Sequence, residues 1–175
     1  SALTGTSDTW SLANLPNSGV AADGEYLYTI TATDGSGKQT VLERTVTIDT
    51  TAPTAPVVTT PTVDSWLNAS TVVFEGSADD GTGSGVDTVF YTETARGTGA
   101  PAKGDAAWTE ASVDGSGNWT ATVNIAAAGE REFHVYSIDE AGNDGDITTH
   151  NFSLDQAPPR VTAAGGVSIQ YVSSD

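Results

Sequence analysis

The sequence predicts an all-β fold: tandem immunoglobulin-like β-sandwich modules, one complete and two partial. Three observations predict it. Short runs alternate apolar and polar residues with a period of two, which buries one face of a strand and wets the other. Clusters of Gly, Asp, Asn and Ser separate those runs at the spacing of turns. One pattern occurs twice, about 105 residues apart, which is the period of a domain array rather than of a short solenoid.

The elements follow in order. Trp10–Leu15 is the first candidate strand. From Gly24 to Asp34, Tyr28, Ile30 and Ala32 share one face of a second strand, and the turn DGSGK leads into a third, Val41–Ile48. Asp49, Ala52 and Pro53 follow. The second copy runs from Gly129 to Asp139, with Phe133, Val135 and Ser137 on the matching face, the turn DEAGN, the strand His150–Leu154, and then Asp155, Ala157 and Pro158. Proline removes a backbone donor and stiffens the chain, so the two Ala-Pro segments read as linkers. They divide the sequence into residues 1–51 (the last strands of one module), 52–157 (a complete module) and 158–175 (the start of a third module, or a tail strand). Within the complete module the candidate strands are Pro56–Thr60, Thr71–Ser77, Val86–Thr92, Ala107–Val113, Trp119–Ile125, Glu132–Ile138 and Thr148–Leu154. Seven is the strand count of an immunoglobulin-like sandwich. Phe74, Val89, Tyr91, Phe133 and Val135 are its expected core.

Composition bounds the function. With 6 Lys and Arg against 23 Asp and Glu, the net charge is −17. Such a surface repels nucleic acid and anionic lipid heads and attracts cations. No run of apolar residues is long enough to cross a bilayer as a helix, so membrane insertion is not expected. The absence of cysteine excludes thiolate metal sites, a cysteine nucleophile and an inter-sheet disulfide. Two separated histidines, and no nucleophile elbow, phosphate loop or dinucleotide fingerprint, speak against an enzyme.

Trp66-Leu67-Asn68, Thr71-Val72-Val73-Phe74, the stretch from Asp79 to Val86, and Tyr91 together resemble the bacterial Ig-like repeat family. So do Val135 to Asn143 and the linker Ile48 to Pro53. The resemblance covers the complete module and both flanks. It implies tandem domains of large secreted adhesins and biofilm proteins, hence an extracellular or cell-surface location. It also implies Ca²⁺ at module junctions, stiffening the rod. A stalk or spacer role in adhesion is the expectation, with an accessory module of a polysaccharide-degrading exoenzyme, or a direct glycan- or protein-binding module, as the alternatives. The turn DGSGK lacks the Ala-Gly-Asn ending of the family pattern.

The residues themselves offer one constellation. In a sandwich of this kind the loop after the second strand and the loop between the last two strands share the pole where the chain enters. Those loops carry Asp79 and Asp80, and Asp139, Asn143 and Asp144, while the incoming linker carries Asp49. Converging carboxylates repel, and a hard cation with six to eight oxygen ligands offsets that. Ca²⁺ is the expected ion; Asp in ordinary turns is the competing explanation. Asp155 repeats Asp49 at the next junction. Trp10, Trp66, Trp108 and Trp119 read as core or corner packing rather than as sugar platforms. His134, out of phase with Phe133 and Val135, is expected at the surface. The partial modules leave sheet edges open, so neighbouring modules, or strand exchange with an adjacent chain through the runs Arg160–Ala164 and Val167–Val172, are the expected partners.

Overall fold

The computed structural model describes residues 22–159 and the short strands Thr4–Thr6 (β1) and Thr9–Ser11 (β2), which pair antiparallel. The sequence-predicted strands at 12–15 and in 160–172 lie outside the described residues. Everything described is strand, turn or loop, with no helix. Gly24–Thr33 (β3) and Gln39–Ile48 (β4) form a two-stranded ribbon. Its cross-strand pairs Tyr26–Val46, Tyr28–Arg44 and Ile30–Leu42 lie on one face, as period two demands. The Asp34 carboxylate fixes the turn by accepting from the backbone N–H of Ser36 and Lys38.

The larger unit is a sandwich of two sheets. Its strands are Val57–Thr60 (β5), Ser65–Leu67 (β6), Thr71–Ser77 (β7), Val86–Ala95 (β8), Thr109–Glu110 (β9), Ser112–Val113 (β10), Asn118–Asn124 (β11), Gly129–Asp139 (β12) and Thr148–Leu154 (β13). One sheet has the order β10-β11-β7-β5, the other β6-β13-β12-β8-β9. The facing positions alternate as the sequence requires: Val72 and Phe74 on β7, Trp119, Ala121 and Val123 on β11, and Phe133 and Val135 on β12 are buried. Phe74 and Phe133 stack with ring centroids 4.0 Å apart, bridging the two sheets, and Trp119 lies 6.0 Å beyond. Each such side chain contributes about 1.5–3 kcal/mol by leaving water.

The structure corrects several expectations. Nine strands replace seven. The segment expected as one strand, Ala107–Val113, breaks at Ala111: β9 pairs with β8, while β10 crosses to pair with β11 in the other sheet. Ser65–Leu67 adds a parallel edge strand beside β13. Tyr91 is only half buried, because its hydroxyl reaches the rim, 3.4 Å from Thr122 O. His134 is 1% exposed, not at the surface. It does lie on the outer side of the sheet, but neighbouring side chains wall it in: Thr94 and Thr149 hydroxyls stand 3.0 Å from its two ring nitrogens. The outer face carries a second, smaller apolar cluster. The loop at 96–108 places Trp108 edge-on to Tyr136 at 4.7 Å, and Phe90 stacks on the same ring at 5.4 Å.

Candidate metal centre

The linker from β4 to β5 is fastened to the sandwich pole. Thr54 donates its N–H and hydroxyl to Asp79 O, both at 2.9 Å, and the Thr148 hydroxyl donates to Pro56 O. Pro53 and Pro56 are buried. Gly145 has no side chain where Pro53 O passes; a Cβ there would lie 2.8 Å from that oxygen.

This fastening delivers Asp49 to the two loops of the pole. The Asp49, Asp80 and Asp139 carboxylates each present one oxygen, and these oxygens lie within 4.8 Å of one another. Asp49 Oδ2 accepts from Ser84 N at 2.6 Å and Oδ1 from Thr51 N at 3.0 Å. The hydrogen bonds, led by that of the Ser84 side chain, hold its pKa below the usual carboxylate value. Asp80 is 9% exposed; its Oδ2 accepts from Gly85 N, and its Oδ1 is buried without a hydrogen-bond partner. Asp139 is 1% exposed, and both of its oxygens accept from Asn143, at 2.8 Å from the backbone N–H and 2.8 Å from Nδ2. The same Nδ2 reaches Asp49 O at 3.2 Å, so Asn143 ties linker to loop. Gly83 leaves the space for this meeting: a Cβ there would run into Asp80 Oδ2 and stand 2.8 Å from Asp49 Oδ2.

Of the six residues expected from the sequence, Asp49, Asp80 and Asp139 come together, with Asn143 bridging two of them. Asp79 and Asp144 do not join them. Asp79 is exposed; it closes its own turn through Gly81 N and holds Thr54 with its carbonyl. Asp144 is exposed and bridges back to Ile138 through its backbone. Two contributors escaped the sequence reading. Ser84 lies within a Gly-Ser-Gly spelling that looks like simple turn chemistry, yet its hydroxyl accepts from Ala141 N while its N–H serves Asp49. Asp23 secures the linker through Thr50 and Thr51, whose hydrogen bonds, that of the Thr51 side chain foremost, lower its pKa. Its counterpart in the second copy of the repeat is Ala128, so the repeat gave no sign of it.

The set is chemically suited to a hard cation. All its ligating atoms are carboxylate oxygens, three formal negative charges are gathered with no Lys or Arg paired to them among the described residues, and one buried oxygen lacks a donor there. A desolvated carboxylate oxygen with no donor is costly, and an ion is one partner that removes the cost.

No protein-family model matches the chain, and neither does any curated protein. Solved structures do. The fibronectin(III)-like modules of Clostridium thermocellum CbhA align over 83% of this chain and 70% of theirs, at 16% identity and a TM-score of 0.47. An engineered protein aligns over 57% of this chain at 17% identity and a TM-score of 0.41, and this chain spans 20% of its length.

Proposed function

We propose that the chain is a spacer segment of a large extracellular surface protein, built of tandem immunoglobulin-like modules at 1–51, 52–157 and 158–175 and stiffened by Ca²⁺ where one module meets the next. The observation that carries this reading is the docking of the linker carboxylate of Asp49 against Asp80 and Asp139. A binding pocket for a small substrate would not need an acidic residue from the linker. A locked joint does, because the ion then bonds both sides of the connection. Asp49, Asp80 and Asp139 would hold the ion, with Asn143 orienting two of them. The second linker supports the same reading: Asp155 Oδ1 accepts from Ala157 N at 2.9 Å, as Asp49 Oδ1 accepts from Thr51 N at 3.0 Å. On this reading Asp155 would serve the next junction as Asp49 serves this one.

Thermal unfolding tests the site. Ca²⁺ should raise the melting temperature of the chelator-treated protein by more than Na⁺ at equal ionic strength, since a bound ion stabilises by mass action while screening is generic. Asp80→Asn, which keeps size and hydrogen-bonding capacity, should abolish most of that difference. Equal shifts from the two salts would sink the proposal.

A further inference from the structure

Trp66 has no structural duty that its environment explains. Trp108 and Trp119 are 9% and 2% exposed, but Trp66 is 72% exposed, the largest value among the big apolar side chains described. Its neighbour Leu67 faces the core, so Trp66 points to the outer side of the five-stranded sheet. Strand register sets what lies beside it: Trp66 pairs with Ser153, and Ser153 pairs with Glu130. Two residues before Trp66, Asp64 occupies the left-handed region at φ 58°, an uncommon conformation for a residue with a side chain. From there its Oδ1 meets Arg96 Nη2 at 2.9 Å, while Arg96 Nη1 meets Glu130 Oε1 at 3.3 Å. The Arg96 side chain is 34% exposed and the Asp64 and Glu130 side chains are each 64% exposed. One patch therefore combines an exposed indole with a row of charged donors and acceptors.

We infer that this patch is a carbohydrate-binding surface for a neutral pyranose unit within a polysaccharide. A pyranose has an apolar C–H face and a rim of hydroxyls. The indole matches the first, and the carboxylate–guanidinium row matches the second, since each carboxylate has a free lone pair and the guanidinium has further N–H groups. The ion pairs bias the three side chains toward one arrangement before the ligand arrives, which lowers part of the cost of ordering them on binding. The net charge of −17 selects against uronate or sulfated chains. The patch lies on an open sheet face, so it suits the middle of a long glycan rather than its end. Cation and sugar sites are separate: they share no residue.

Calorimetry and acrylamide quenching of the 175-residue chain test this, with neutral hexasaccharides of glucose, mannose and N-acetylglucosamine as probes and polygalacturonate as the anionic counterpart. At least one neutral hexasaccharide should bind and shield one readily quenched tryptophan. Trp66→Ala should weaken it by about tenfold or more and remove that quenchable emission, without changing the melting temperature. Arg96→Ala should also weaken it. Failure of every neutral probe, tighter binding of the polygalacturonate, or unchanged affinity in Trp66→Ala overturns the inference. So does a Trp66 already shielded in the free chain, because another segment then covers it.

Discussion

His134 and His150 are buried neutral groups in a protein dominated by acid, and they give it a pH response apart from that of its carboxylates. Burial lowers the pKa of His134, opposed by the nearby Glu132 and Glu93 charges, and lowers that of His150, opposed by the Thr62 and Pro61 carbonyls and by Asp64. His150 sits edge-on to Phe74 at 6.3 Å. A histidine whose folded pKa is depressed contributes stability above its unfolded value, near 6.5, and that contribution is lost as pH falls through it. The midpoint of urea unfolding, measured in chelator, should therefore drop between about pH 7 and 5, and His134→Gln should flatten the drop. Asp23, Asp34, Asp49 and Asp114 have lowered values from their hydrogen bonds, so their loss of stability should begin only below about pH 4. An unfolding midpoint that is flat from pH 7 to 5 would show that neither imidazole resists protonation. The sequence placed His134 on the outer face correctly but not its burial. Alternation reports which side of a sheet a residue takes; it says nothing of the threonines that stand against His134 there, or of the long loop that covers Tyr136 on the same face.

That loop, residues 96–108 between β8 and β9, acts as an element without regular structure. Gly97 N donates to Glu132 Oε1, Lys103 Nζ donates to Gly145 O at 2.7 Å and stands 5.4 Å from the Tyr136 ring centroid, and Trp108 Nε1 closes the turn on Ala102 O. Burial of Trp108 against Tyr136 holds the whole excursion down. Trp108→Ala should cost about 3 kcal/mol in denaturant unfolding, the scale of removing a packed indole. A loss under about 0.5 kcal/mol would mean the loop lies on the sheet without supporting it. The strands that face the core were legible because β7, β8, β12 and β13 carry long period-two runs. Ser65–Leu67 was not, since three residues are too few to show a period and a parallel edge pairing has no hairpin turn to announce it. The site was legible as far as loop placement reaches. Asp49, Asp80 and Asp139 follow from which loops share a pole. Separating Asp80 from Asp79 needs the turn geometry, which sends one carboxylate inward and leaves its neighbour in solvent.

Across the whole molecule two forces oppose each other. The β3–β4 ribbon gathers Tyr26, Tyr28, Ile30, Leu42 and Val46 on one face, with Leu42 and Val46 37% and 38% exposed. A two-stranded ribbon with such a face gains from further strands, and among the described residues neither of its outer edges is paired. A net charge of −17 pushes copies of the chain apart. Salt decides the balance, because screening shortens the repulsion from about 30 Å at 0.01 M to about 3 Å at 1 M while leaving apolar contact intact. Light scattering should find a 17.8 kDa monomer at low ionic strength and a growing, concentration-dependent mass as NaCl is raised. If residues 158–175 of one copy add to the ribbon of the next, the contact is heterologous and predicts growth past a dimer, into filaments unless its rotation closes a ring. Removing 158–175, or introducing Leu42→Asp with Val46→Asp, should keep the protein monomeric at every salt concentration. A wild-type chain that remains a monomer at high salt and high concentration would refute strand exchange, and a discrete dimer would refute the head-to-tail form of it.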